Sequence, residues 1–299
     1  MLLATVLFVG TGLAGAAQIE FVLSEDSGAY VETVTALRQE LGDRLPIIQT
    51  NASALERGEA TSESALVVTF GTRAFKAALA GRAGPVLAAL ITQQAFDETL
   101  RETQRPRDPK SVSAIYLDQP IGRHLDLVRA VLPGRSRVGV LISAGDTNSI
   151  KLLDAAAQGH RLTISREAVA APRDIYSALS KLLANCDAVL ATPDPRIFNS
   201  ATLHNILLAT YREGRPLFGF SPAYARAGAL AAVYSTPQHT ARQLAGTVQR
   251  FLAGAGLPPA QYPQFYAVKV NLTVARSLGI RVDDERAIEG KLQALERER

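Results

Sequence analysis

Tryptophan is absent, the one methionine is Met1, and Cys186 is the one cysteine in 299 residues. A single thiol excludes an intramolecular disulfide and any metal site built from several cysteines. Histidine is equally sparse: His124, His160, His204 and His239 stand far apart, with no His-x-x-x-His or His-Glu pairing, so solvated or capping roles are expected and a zinc site is not. No Gly-x-x-x-x-Gly-Lys-Ser/Thr loop is present, which removes the machinery for nucleotide hydrolysis. Ser221 follows Phe220 and precedes Pro222 with no glycine two residues on, so the nucleophile elbow of serine hydrolases is missing as well. The 32 basic and 28 acidic residues leave a net charge of +4. They are interspersed, without the basic stripe that a phosphate backbone requires, and nucleic acid is excluded as a partner. After residue 17, no apolar stretch nears the roughly 20 residues that span a bilayer.

What is there begins with MLLATVLFVGTGLAGAAQIEFVLS. Gly10, Gly12 and Gly15 spell Gly-x-Gly-x-x-Gly behind an apolar run, the pattern of a dinucleotide-binding turn. Such a turn needs a helix whose first N–H groups hold the pyrophosphate. Only Ala16, Ala17 and Gln18 separate Gly15 from the strand-like IEFVL, so no helix fits. The apolar run Leu2 to Val9 followed by Ala14-Gly15-Ala16 or Gly15-Ala16-Ala17 instead matches an export leader over residues 1–17, although no Lys or Arg precedes Arg38. Without a cysteine at the cleavage point the mature chain is not a lipoprotein. A soluble, periplasmic protein is expected.

Apolar residues form 47% of the chain and charged ones 20%, enough for large cores and too apolar for disorder. Short apolar runs alternate with helical periodicity, the mark of a parallel α/β sheet. IEFVL, ALVVTF, PVLAAL and SAIYL form one series. RVGVLI, RLTI, DAVLAT, PLFGF and ALAAVY form a second after Pro133-Gly134, and FYAVKV follows late in the chain. Two doubly wound lobes joined near residue 134 are predicted. Cys186 lies between the helical LSKLLANC pattern and a strand, a buried small apolar position. The tail DDERAIEGKLQALERER alternates charge at helical spacing and reads as a solvated terminal helix. Asp118, beside Pro120, reads as a cap for a helix beginning at Ile121.

Ligands bind open parallel sheets at the carboxyl ends of the strands. Polar tips stand at those ends: SEDSGAY, GTR, TQQ and DQP in the first series, and SAGDTNS, PDPRIFNS and SPAY in the second. Hydroxyls, carboxylates and amides there can either cap helices or hydrogen-bond a small polar molecule.

The stretches VRAVLPGRSRVGVLIS with the following DTNS, DAVLATPDPRIFN, PLFGFSPAYARAGALAAV and VKVNLTVARSLGI resemble the substrate-binding proteins of ABC transporters, in the group that includes tryptophan-binding members. The resemblance runs over roughly Gln18 to Gly279. It implies an α/β fold of two doubly wound parallel-sheet lobes with a hinge, like type I periplasmic-binding proteins. Three crossings near Gly134, Ala231 and Pro258 would divide the chain into an N-terminal lobe of 18–134 with 232–257 and a C-terminal lobe of 135–231 with 258–299. The implied ligand site takes Ser24, Asp26, Tyr30, Gly71, Thr72 and Thr92 from one lobe. From the other it takes Ser143, Asn148, Ser149, Asp194, Ser221 and Tyr224. Hydroxyls and loop N–H groups would hold a ligand carboxylate, Asp26 or Asp194 an amine or hydroxyl, and Tyr30 and Tyr224 an apolar part. No cofactor or metal is implied, nor catalysis, since Asp118 and Asp194 would sit on different lobes. The expected partners are a small-molecule ligand, such as an amino acid, and an ABC permease or, alternatively, a membrane sensor. The chain itself is expected to be a monomer.

Overall fold

The computed structural model describes residues 18–43, 45–59, 64–81, 84–103 and 111–298; the expected leader lies outside them. In chain order the first half comprises β1 (Ile19–Leu23), α1 (Gly28–Leu41), β2 (Ile47–Asn51), α2 (Ala52–Glu56), β3 (Leu66–Phe70), α3 (Thr72–Gly81), β4 (Val86–Ile91), α4 (Gln93–Glu102), β5 (Val112–Tyr116) and α5 (Ile121–Val131). Then follow β6 (Arg137–Ser143), α6 (Thr147–His160), β7 (Thr163–Val169), α7 (Ile175–Leu183), β8 (Ala188–Leu190), α8 (Leu203–Arg212), β9 (Leu217–Gly219) and α9 (Pro222–Ala227). The remainder is β10 (Ala231–Tyr234), α10 (Pro237–Arg250), β11 (Ala267–Val270), α11 (Leu272–Ser277) and α12 (Glu285–Arg297).

Two sheets result. The first has the order β2-β1-β3-β4-β5 and the second β11-β10-β9-β8-β6-β7. All pairings are parallel except that of β11 with β10. Strands such as IEFVL and LVVTF are buried along their whole length, because helices cover both faces of a parallel sheet. Strand β2 was not anticipated from the sequence. It is an edge strand, IIQTN, with two of its five residues exposed, and so lacks the continuous apolar run. The polar segment after PVLAAL is likewise a ten-residue helix, α4.

Which sheet each helix covers departs from the expected division. The crossing near Gly134 was placed after α5, yet Leu125, Val128 and Val131 of α5 pack with Val138, Val140 and Ile142 of β6 in the second core. The chain has therefore crossed by Pro120. Strand β10 pairs with β9, so the crossing expected at Ala231 comes only after Tyr234. Helix α10 then returns to the first sheet, where Ala241, Leu244 and Val248 meet Val34 and Leu37 of α1. The segment from Leu257 to Tyr262 stays there. The Gln261 N–H donates to the Ala114 carbonyl at 2.9 Å, and its own carbonyl accepts from the Tyr116 N–H at 2.9 Å. The third crossing thus follows Tyr262 rather than lying at Pro258.

The terminal helix is docked rather than solvated. Ile288 and Leu292 are fully buried in the second core. On the same helix, Glu289 accepts from the Val268 N–H at 2.8 Å and Glu285 from the Val270 N–H at 3.1 Å. Two glutamates one turn apart thereby satisfy the outer edge of β11, which would otherwise present unpaired N–H groups.

Cys186 is buried as expected, and burial pushes its thiol up to about 11. Room for it comes from Gly139 on β6, where a Cβ would lie 2.8 Å from Leu182 Cγ and 2.9 Å from Cys186 Sγ. Gly139→Ala is expected to lower stability by about 1–3 kcal/mol through overpacking, as read by urea unfolding. An unchanged midpoint would show that α7 can withdraw from β6 without penalty.

Candidate functional site

In a doubly wound sheet the chain leaves its first strand in both directions, and the gap at that strand's carboxyl end is open to a ligand. In the first sheet this switch falls between β1 and β3. In the second, whose strands β7-β6-β8-β9-β10 repeat the order β2-β1-β3-β4-β5, it falls between β6 and β8.

Ser24, Tyr30 and Gly71 meet at the first switch. Gly71 precedes α3 and holds φ at +91°, a conformation open to glycine at little steric cost. It therefore cannot cap the helix with a side chain, and Ser24 supplies the oxygen from the neighbouring strand, accepting from the Ala74 N–H at 3.0 Å. A Cβ at position 71 would lie 2.5 Å from Ser24 Oγ and 2.9 Å from the Tyr30 hydroxyl. Asp26 and Thr72 are exposed beside this group. The Ser27 side chain makes no cap bond to α1, the fourteen-residue helix whose first turn carries Tyr30.

Thr92 stands apart from that group, in a cluster that the sequence reading did not assemble. Its hydroxyl caps α4 by accepting from the Ala95 N–H at 3.1 Å. Asp118 accepts from the Gln93 N–H at 2.6 Å, and the Tyr262 hydroxyl donates to Gln93 Oε1 at 2.6 Å. Asp118 therefore serves α4, and α5, which begins at Ile121 as expected, has Pro120 at its N-cap and no side-chain cap bond. Burial pushes the Asp118 carboxyl up to about 6 against its hydrogen bonds to backbone N–H groups. The polar tips TQQ and DQP pointed to Gln93 and Asp118; Tyr262 arrives from far along the chain, and no sequence signal linked it to them.

At the second switch Ser143, the last residue of β6, donates a short hydrogen bond to Asp194 Oδ2. The Arg196 N–H and Nε–H donate to Asp194 Oδ1 at 3.0 and 3.2 Å. Partial burial would raise the Asp194 pKa, but the bonds from Ser143 and Arg196 outweigh it and hold the carboxyl below its usual range. Arg196, missed in the sequence reading although it lies in PDPRIFN, also feels Asp146 and, from α4 on the first sheet, Glu98. The tips of the two sheets thus lie within electrostatic reach of each other. Ser149 is held by Asp146, which accepts from its N–H at 3.0 Å and its hydroxyl at 2.6 Å. Asn148 is exposed, and Ser221 stands at the N-cap of α9 with its hydroxyl unused as a cap.

Tyr224 does not join them. It is buried among Ile197, Phe198 and Leu207, with its ring 4.4 Å from that of Phe220. Gly219 makes its seat, since a Cβ there would lie 2.3 Å from that of Tyr224. The expected role over a ligand is not open to a side chain packed behind the sheet.

Two of the four histidines also differ from expectation. His124 and His160 are buried, and burial together with Arg123 pushes His124 down to about 4. His239 takes a capping role: its Nδ1 accepts from the Thr236 backbone N–H at 3.4 Å, while the Thr236 hydroxyl accepts from the His239 backbone N–H at 3.1 Å. Among the described residues no group of three or more His, Cys, Asp or Glu could hold a metal ion, and no helix is long and apolar enough to cross a membrane.

The family described as ABC transporter substrate binding protein matches residues 49–290. No curated protein matches the chain by sequence. Among solved structures, an ABC domain in complex with L-Trp from Streptococcus pneumonia is 19% identical with a TM-score of 0.60, covering 92% of this chain and 98% of its own. A conserved domain protein from Vibrio cholerae is 19% identical with a TM-score of 0.59 and the same coverage. The ligand-free, open structure of a substrate-binding protein with adhesive properties from Clostridium difficile is 14% identical with a TM-score of 0.71, covering 90% of this chain and 96% of its own. The shared fold is that of periplasmic solute-binding proteins, and the family is one of binding proteins rather than enzymes.

Asp118 gives the site a pH signature. Its folded pKa of about 6 exceeds the ordinary 3.8, so the ionised form destabilises the fold above about pH 6, and the penalty disappears as pH falls toward 3.8. Asp118→Asn keeps an acceptor for the Gln93 N–H. It should raise stability near neutral pH by about 1–3 kcal/mol and by progressively less in acid, as followed by thermal melts across the range. A pH-independent gain would contradict the assignment.

Proposed function

Because the chain belongs to the ABC transporter substrate-binding protein family, we propose that it captures a small polar ligand, an amino acid or a compound like one, between two lobes and presents it to an ABC permease. The lobes in this reading are residues 18–120 with 236–262, and 121–235 with 263–298. The observation that carries the reading is the repeated topology. Two sheets of the same strand order each bring a serine at the end of their first strand, Ser24 and Ser143, to the switch point, and a small molecule held between them would touch both.

The division of roles follows from hydrogen-bonding capacity not already spent. The first turn of α1, uncapped by Ser27, and the Ser24 hydroxyl proton suit a ligand carboxylate, favoured there by the helix dipole. Asp26, Thr72, Asn148 and Ser221 stand at the tips with polar groups to offer. Tyr30, beside Gly71, would cover an apolar part. Asp194, held by Ser143 and Arg196, contributes a fixed charge on the opposing lobe. Closure is favoured only by contacts that the ligand makes better in the shut state than in the open one. The export leader read over residues 1–17 would place this monomeric receptor in the periplasm. Neither a cofactor nor nucleic acid enters this reading.

Thermal melts with each proteinogenic amino acid and a set of sugars test the reading. At about a hundredfold excess over Kd a true ligand adds about 2.7 kcal/mol, and the radius of gyration in solution scattering should fall with it. Gly71→Ala, which drives a methyl group into Ser24 and Tyr30, should abolish the shift. If no compound raises the melt or compacts the chain, capture between lobes is rejected.

A further inference from the structure

Arg123 opens α5 just past the first crossing, and its side chain is only 8% exposed. A buried guanidinium is tolerated only when its charge and donors are met, and here they are met by groups from distant parts of the chain. Nε donates to Glu296 of α12 at 2.5 Å, and Nη1 donates to Gln119 Oε1 at 2.5 Å and to the Pro263 carbonyl at 2.9 Å. The guanidinium carbon sits 4.0 Å from the centroid of the Tyr266 ring, and the Tyr266 hydroxyl donates to Glu296 Oε2 at 3.3 Å.

Gln119 belongs to the first crossing and Pro263 to the third. The second is reached one bond further on, where Gln119 Nε2 donates to Ser235 Oγ at 2.9 Å and Ser235 Oγ donates to the Phe265 carbonyl at 2.6 Å. On the side of the first sheet, Gln243 of α10 grips the third crossing, accepting from the Gln264 N–H at 2.8 Å and donating to the Tyr262 carbonyl at 3.2 Å. All three crossings are thus joined in one network whose only buried charge is Arg123, with its counter-charge supplied by the last turns of the chain.

We propose that Arg123 and Glu296 are positioning residues for lobe closure: through this ion pair the C-terminal helix ties the three crossings into a single hinge. The inference rests on the two-lobe capture reading and assigns α12 a part in it. Three separately flexible strands would let the lobes twist and slide as well as open. Tied to one rigid guanidinium, they must turn together, which restricts the motion to one axis and lowers the entropy lost when a ligand shuts the lobes. Lysine could keep the charge opposite Glu296 but not the planar fork that reaches two further acceptors and stacks on a ring.

The test is the distribution of distances between the lobes in the full chain without added ligand. Nitroxide labels at Lys76→Cys on α3 and Lys181→Cys on α7, both exposed, report it by pulsed dipolar spectroscopy, and buried Cys186 stays unlabelled. Glu296→Gln and Arg123→Lys should each broaden the distribution about twofold as states a few RT higher become populated. Glu289→Ala, which removes the acceptor for the Val268 N–H and so loosens the same helix from β11 without touching a crossing, should leave the width unchanged. Widths unaltered in both latch variants, whatever happens to their melting points, would overturn the proposal; so would equal broadening by Glu289→Ala. Since no ligand is added, a failure of the ligand screen would reject capture while leaving these widths to judge the latch.

Discussion

A parallel strand cannot return to its neighbour by a tight turn, so every connection passes over the sheet as a helix and both faces are covered. From this constraint follows the arrangement of the molecule. Within each sheet the carboxyl ends of the parallel strands point to one side, and the helices begin there with their N–H groups unpaired. Polar residues collect at the same edge to satisfy them. Ser24, Thr92, Asp118 and Asp146 each hold a helix start. The candidate site is what remains of that polarity after local needs are met.

Seen in this way, capping and ligand binding do not exclude one another. Ser24 caps α3 because Gly71 has no side chain to do so, and the same exchange brings Ser24, Tyr30 and Gly71 into contact at the switch point. A hydroxyl that accepts from a helix N–H still has its proton to donate. Asp194 is the counterpart on the second sheet, with its carboxylate held by Ser143 and Arg196.

The two sheets are not independent bodies placed side by side. Helix α5 crosses to the second sheet and α10 returns to the first, so neither core is complete without a helix carried across. The crossings converge on Arg123, and α12 contributes its counter-charge while also sealing the edge of β11. The C-terminal segment, which looks dispensable as an isolated charged helix, joins the second core to the segments along which the lobes would move.

The strands buried on both faces, the helices between them, the two-series α/β plan and the polar tips at the strand ends are all legible in the sequence. Each of these follows from hydrophobic periodicity within a short window. The sequence also identified most of the residues gathered at the switch points. Tertiary structure alone decided which sheet each crossing helix covers, because α5 and α10 present apolar faces that either core could accept. The docking of α12 was equally hidden, since Ile288 and Leu292 are the buried residues of a helix whose composition is otherwise that of a solvated one. Tyr224 sank into the core because Gly219 left a space behind the strand, and Tyr262 reached Gln93 across a separation of 169 residues. Packing between residues far apart in the chain leaves no periodic trace, and it is this packing that turns a row of polar tips into a site.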